Sequence, residues 1–304
     1  MTQLWILATG LAICTAANPC LAVGRTTPAL SAQSVIVYDQ FNRETLLQKN
    51  PRHQASIASI TKLMTAVVTL DAGLDLQARI TITADDVVPQ TNASRLPVGT
   101  RHTREDLLNL ALIPSENRAA HALGRTYPGG MKAFVTAMNA KARQLGMSRT
   151  HYVEPTGLSS DNQSTAEDLV KLVDYAYSNY VDIRHISSRE QFNAHSQKSG
   201  KIDSGYRLAA FNNTNKLTLN QDWHIGLSKT GYISRAGYCL VMQAEIADRP
   251  VIIVLLDAAD KPSRQNDAAR IKRWLEQDVP RPAPAPVTAQ PLQPELSCTL
   301  SPCQ

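Results

Sequence analysis

Ala58-Ser59-Ile60-Thr61-Lys62-Leu63-Met64-Thr65-Ala66 sets a serine three residues ahead of a lysine and runs straight into an apolar segment. Positions i and i+3 share a helix face, so Ser59 and Lys62 would lie side by side. Leu63, Val67 and Leu70 recur at helical spacing, and Met64, Ala66 and Val68 fill much of the remaining surface. A helix that apolar is usually buried. The hydroxyl and amine at its start then have two readings. The amine takes the hydroxyl's proton and makes a nucleophile, or the serine is an N-cap with a surface lysine one turn on. The stretch alone favours the second reading, because a motif this short also arises by chance.

Upstream, Ser34–Asp39 alternates as a strand, Asn42-Arg43 forms a turn, and Glu44–Lys49 reads as the hairpin partner. Downstream, Arg79–Thr83 is a short strand, and helices are expected at Thr103–Ile113, Asn117–Arg125, Met131–Leu145 and Thr165–Tyr180. Thr103 and Thr165 each precede an acidic pair, which suits an N-cap and the helix dipole. Strands return at Gln191–Ser196 and Tyr206–Ala210, expected to pair, then at Trp223–Ser228, Tyr238–Ile246 and Val251–Leu256. A tight Ala247-Asp248-Arg249 connection joins the last two. Ala268–Gln277 makes a closing helix. Strands, helices, strands and a final helix predict an α+β fold, an antiparallel sheet flanked by helices with an inserted all-helical subdomain at about 84–185.

The 304 residues, 43% hydrophobic and 19% charged, exclude wholesale disorder. A net charge of +5 without a Lys/Arg block gives no sign of a nucleic-acid partner. Leu4–Ala17 is apolar and uncharged, Asn18-Pro19 breaks it, and Cys20-Leu21-Ala22 offers small residues for cleavage. Residues 1–22 therefore read as a secretory signal, although no Lys or Arg precedes the apolar run. A retained anchor is the weaker alternative, because the run is short for a span, and no transmembrane anchor is expected after cleavage. The main fold would occupy residues 23–279, followed by a disordered Pro-rich tail at 280–304. Cleavage removes Cys14 and Cys20. Cys239 is expected to pack as a small hydrophobe, and export would allow Cys298 and Cys303 to pair.

Two further motifs change the reading of Ser59 and Lys62. Ser115-Glu116-Asn117 follows Ile113-Pro114 at a helix junction, and Lys229-Thr230-Gly231 lies in a strand-like run. Each is weak alone, but their order, spacing and flanks are not generic. The chain resembles the serine penicillin-recognising enzymes, the D-alanyl-D-alanine peptidase and β-lactamase superfamily. It is most similar to the small D,D-endopeptidases of the penicillin-binding protein 7 type, among the low-molecular-weight penicillin-binding proteins. The resemblance rests on Ser56–Ala66, Ser94-Arg95-Leu96-Pro97-Val98-Gly99, Ser115–Arg125, Pro155-Thr156-Gly157-Leu158, Ser164–Leu169 and Lys229–Tyr232 with Ala236-Gly237-Tyr238. It spans roughly residues 30–278. Carboxypeptidases of the family tend to have glycine where Glu116 stands.

The residues suit that chemistry. Ser59 would be the nucleophile and Lys62 the general base, kept neutral by burial and by a second cation, Lys229. Ser115 would relay the proton to the leaving amine, and Asn117 would hold the substrate carbonyl and orient Lys62. The backbone amide of Ser59 suits an oxyanion hole, and the resemblance implies that of Tyr232 as the second donor. Gly231 would let a substrate backbone approach, while Lys229 and Thr230 would bind a carboxylate. The resemblance adds Arg264 as a further carboxylate contact, but the residue lies in a polar stretch, Asp260–Gln265, and reads equally as a solvated arginine.

The expected activity is hydrolysis of D-Ala-containing peptide cross-links of peptidoglycan through an acyl-Ser59 intermediate, in the periplasm, with β-lactams as covalent inhibitors. A carboxypeptidase removing terminal D-Ala is the alternative, and a non-catalytic peptidoglycan-binding or β-lactam-sensing protein a third. No cofactor or metal is expected, since no His-Glu-x-x-His or phosphate loop occurs. A class A β-lactamase would need a Glu-x-x-Leu-Asn that is absent, and Glu154 does not supply it.

Overall fold

Val251-Ile252-Ile253-Val254-Leu255-Leu256 has no polar side chain to turn toward water. Such a run suits a strand covered on both faces. In the computed structural model it is the centre of the last strand of the main sheet. The structure describes residues 26–88, 94–198 and 205–277, with the side chains of 195–198 and 205–209 left aside. The expected signal segment and tail, with their four cysteines, lie outside the described residues.

The elements run β1 (Ser34–Asp39), β2 (Glu44–Lys49), β3 (Ala55–Ser56), α1 (Thr61–Asp71), β4 (Arg79–Thr81), β5 (Thr100–Thr103), α2 (Arg104–Leu112), α3 (Asn117–Arg125) and α4 (Gly130–Gln144). There follow β6 (Gln163–Ser164), α5 (Ala166–Asn179), α6 (Val181–Ser188), β7 (Gln191–Lys198), β8 (Gly205–Asn212), β9 (His224–Ile233), β10 (Gly237–Ile246), β11 (Arg249–Ala258) and α7 (Lys261–Glu276). Five antiparallel strands make the main sheet in the order β2-β1-β11-β10-β9. Successive residues of β11 serve opposite faces. Val251, Ile253 and Leu255 join Leu240 and Met242 beneath Ala268, Ile271 and Leu275 of α7. Ile252, Val254 and Leu256 face the helices, with Val241 and Cys239 beside them. Cys239 is a free core thiol, pushed up to about 11 by burial.

α1 is buried from Thr61 to Thr69 and packs against α2, α3, α4 and α5, while α5 packs on the sheet. The apolar pattern around Leu63 therefore marks the centre of the helical region. Both expected threonine caps form: Thr103 accepts from the Asp106 amide at 3.0 Å and Thr165 from that of Asp168 at 3.1 Å. The β10–β11 connection is a two-residue turn in which Ala247 and Asp248 both have positive φ, the conformation that matches strand twist in a hairpin.

Three expectations need correction. The insertion at about 84–185 is not all-helical, because it contains β5, which joins β4, β7 and β8 in a four-stranded sheet, and β6, which pairs with β3. β5 is only Thr-Arg-His-Thr, whose polar composition hides its pairing with β4 and β7. Next, α6 follows α5 after a single residue, Tyr180, without a Gly or Pro to signal the break. Finally, α7 begins at Lys261 rather than Ala268. Asp260 caps it by accepting from the Ser263 amide at 2.6 Å, and Pro262 occupies its first turn. The opposite end of the described chain is tied to α7, since buried Asp267 accepts from the amides of Ser31 and Ala32.

Candidate active site

Ser59 lies in a short 3-10 turn, Ala58–Ile60, that leads into α1, and its side chain makes no cap. Lys62 is 0% exposed. The reading of a capping serine and a surface lysine is therefore overturned. Lys62 Nζ donates to Ser59 Oγ at 2.9 Å, to Asn117 Oδ1 at 2.7 Å and to the carbonyl of Thr156 at 2.6 Å. Three acceptors fix the amine on the hydroxyl. A buried ammonium loses hydration, and burial brings Lys62 down to about 8 against the opposing pull of Glu154 and Glu116.

Lys229 is 1% exposed in the middle of β9, where its Nζ donates to the Thr230 carbonyl at 3.0 Å. It is pushed well below the usual lysine range, first by burial and then by the charges of Lys62 and Arg264. The sequence reading placed the second cation's effect on Lys62. Repulsion is mutual, but Lys62 has two carboxylates in its field while Lys229 is caught between two cations. Burial governs Lys62, and the repulsion falls mainly on Lys229.

Asn117 opens α3 directly after Glu116, whose side chain caps the helix by accepting from the Arg118 amide at 3.2 Å. Ser115 has φ +65 and Ala58, just before Ser59, has φ +47. Left-handed backbone at residues with a Cβ costs about 1–2 kcal/mol each, and such strain concentrates at functional sites. Ser115 Oγ is buried and has no hydrogen-bond partner among the described residues. It was expected to relay a proton to the leaving amine, and no described residue holds it.

Gly231 matters for a reason the sequence did not reveal. A Cβ there would sit 2.9 Å from the Ile57 carbonyl oxygen and 3.1 Å from the Ser59 amide nitrogen. Its missing side chain lets β9 close on the turn that carries Ser59. Tyr232, whose amide is expected to share an oxyanion hole with that of Ser59, is the next residue along β9. The Tyr232 ring stacks on Tyr238 with centroids 4.3 Å apart.

Arg264 is 4% exposed on α7 and donates to the Cys239 carbonyl at 3.1 Å, so it is not a solvated arginine. It lines a cavity of about 430 Å³ with Ser59, Ser115, Thr214, Thr230, Gly231, Tyr232, Tyr238 and Lys261. Lys229 is not part of that lining and sits beneath it. Thr214 was missed by the sequence reading. It receives the Thr230 hydroxyl at 2.6 Å, and its amide donates to Ile113 beside the Ser115 turn. Glu154 was also missed as an organiser. Its carboxylate accepts from the amides of Thr156, Gly157 and Ser159 and from the Asn162 side chain. That loop presents the Thr156 carbonyl to Lys62.

A serine hydroxyl held by a dehydrated lysine at the edge of a cationic cavity is the arrangement of a serine acyl-transfer enzyme. The chain belongs to the D-alanyl-D-alanine carboxypeptidase family of serine peptidases, which matches residues 22–260. It is 43% identical over 265 residues to a D-alanyl-D-alanine endopeptidase of Pseudomonas aeruginosa, covering 87% of this chain and 83% of the relative. It is 40% identical over 271 residues to one of Escherichia coli, covering 88% and 85%. A Streptomyces DD-transpeptidase superimposes with a TM-score of 0.77 at 30% identity, over 83% of this chain and 99% of that one. A Listeria monocytogenes penicillin-binding protein in its ampicillin-bound form superimposes with a TM-score of 0.69 at 28% identity, over 83% and 100%.

Proposed function

We propose that the protein is a serine D,D-endopeptidase that opens D-Ala-containing peptide cross-links of peptidoglycan through an acyl-Ser59 intermediate. The observation that carries this reading is the buried Lys62 amine on Ser59 Oγ at 2.9 Å, lowered to about 8. The relatives named D-alanyl-D-alanine endopeptidase favour the cross-link over the terminal D-Ala as substrate.

In the acylation step Ser59 Oγ bonds to the D-Ala carbonyl carbon while its proton passes to neutral Lys62. The amides of Ser59 and Tyr232 stabilise the oxyanion. The C–N bond then breaks, and the leaving amine takes a proton through Ser115, whose unpartnered hydroxyl lies between the two sides of the site. Asn117 Oδ1 holds Lys62, leaving its Nδ2 for the substrate carbonyl. Thr230 and Arg264 take the carboxylate of the leaving D-residue. Water then cleaves the ester. A β-lactam follows the same first step, so β-lactams are covalent inhibitors. The catalytic unit is residues 23–279, with the mainly helical subdomain at about 84–185, and the signal segment sends it to the periplasm.

Purified cross-linked muropeptide dimers test the substrate. Wild-type protein converts them to monomers without releasing free D-Ala. Release of D-Ala from dimers that stay intact would instead support carboxypeptidase activity, the reading suggested by the family's description.

The lysine makes a second expectation. Only neutral Lys62 can accept the proton, and a group lowered to about 8 is roughly one-tenth neutral at pH 7. Acylation by a penicillin should rise about tenfold per pH unit at low pH and level off above about 8. Stopped-flow or quenched labelling across this range measures it, and a flat profile would remove Lys62 as the base.

A further inference from the structure

The smaller cavity beside Ser59 accounts for only half of a cross-link. A second cavity of about 810 Å³ meets it at Ser115 and Tyr232 and extends past Asn117. Its charged lining consists of Arg95, Glu116 and Arg235. If the leaving residue's carboxylate lies with Thr230 and Arg264, the acyl part of the substrate must lie on the other side of the nucleophile, in this larger space. β9 is the terminal strand of its sheet, so an extended peptide can add along it. Such a peptide would run from Gly231 past Tyr232 toward the turn that carries Arg235.

The three charged groups are differently prepared for a ligand. The Arg95 guanidinium lies 3.7 Å over the Phe211 ring and donates through Nη1 to the Ala210 carbonyl at 3.2 Å. It is held flat with other N–H groups to spare. Arg235 is exposed at the β9–β10 turn and makes no hydrogen bond or ion pair with a described residue. Glu116 receives the Ser94 hydroxyl at 2.8 Å and the Arg118 amide, both on Oε1. Oε2 accepts no bond from a described residue. Ser94 and Glu116 belong to two of the motifs that carry the resemblance, and they touch at the wall of this cavity. The wall thus offers two guanidinium groups beside a carboxylate oxygen, which is the complement of a free amino-acid head group.

We propose that this larger cavity is the acyl-side subsite and selects a peptide branch ending in a free amino-acid head group, with its carboxylate on Arg95 and Arg235 and its ammonium on Glu116 Oε2. The assignment rests on the acyl-Ser59 reading above. A stem-peptide residue with a diamino-acid side chain has this head group. A glycine in place of Glu116 would lack the anionic half of the wall.

Two penicillins with the same nucleus test this, one with an α-aminoadipyl side chain and one with a plain pentanoyl side chain. The wild-type protein should be acylated about tenfold faster by the first, the worth of one good charge-assisted pair. Arg235→Ala and Glu116→Gln should each bring the ratio of the two rates close to one. Glu116→Gln keeps the acceptor that Ser94 and the helix amide use, so the fold is spared. Equal rates in the wild type, or a preference that survives both substitutions, would overturn the subsite alone. Acylation by neither penicillin would overturn the acyl-Ser59 reading and the subsite with it.

Discussion

Ser59→Ala leaves a folded protein that a fluorescent penicillin no longer labels, with turnover of cross-linked peptides lowered by about 10⁴-fold or more. The hydroxyl is the atom that would bond to the substrate, and nothing else at the site can replace it. Ser115 Oγ accepts nothing from Lys62, whose three acceptors are Ser59, Asn117 and Thr156. The fold should survive because Ser59 caps no helix. Removing its hydroxyl takes one hydrogen bond from Lys62 and leaves two, a loss of about 1 kcal/mol. Gel labelling and a thermal melt together separate the outcomes. A variant that labels like the wild type would place the nucleophile elsewhere, and one that fails to fold would give the serine a structural role it does not have in this geometry.

Much of the frame was legible because local signals and burial agree. β10 and β11 read as strands since their apolar runs are buried on both faces, and Thr103 and Thr165 marked the starts of α2 and α5. The motif residues were legible as chemistry, yet their surroundings were not. Periodicity assigns α1 to the core but cannot tell that the core closes over Lys62. The lysine's third acceptor is a backbone carbonyl, that of Thr156, and a carbonyl carries no side-chain signature. The reach of Glu154 into four residues of its own loop is likewise a matter of tertiary path. Arg264 shows the opposite failure. Its cap, Asp260, and Pro262 were visible, but a helical start made of polar residues reads as a turn unless caps outweigh hydropathy.

The path of that loop also decides the second large effect, Gly157→Ala. Gly157 has φ +81, and a Cβ added there would stand 1.9 Å from the Ala58 carbonyl oxygen and 2.8 Å from the Ser59 amide nitrogen. These are backbone atoms of the turn that carries Ser59, so no side-chain rotation relieves the clash. The adjacent residues have no freedom to yield. Glu154 holds the amides of Thr156 and Gly157 at 2.6 Å each, and Thr65 holds the Pro155 carbonyl at 2.7 Å from inside α1. Left-handed strain and overpacking together should cost about 2–4 kcal/mol. Relief by pushing the loop outward would draw the Thr156 carbonyl away from Lys62 and shift the Ser59 amide from the oxyanion position. A displacement of about 1 Å can cost roughly 100-fold in rate. The variant should therefore melt lower and acylate at least about 100-fold more slowly, even where a circular dichroism spectrum shows it folded. Wild-type acylation with a lowered melting point would separate loop packing from the nucleophile's geometry and refute the coupling between them.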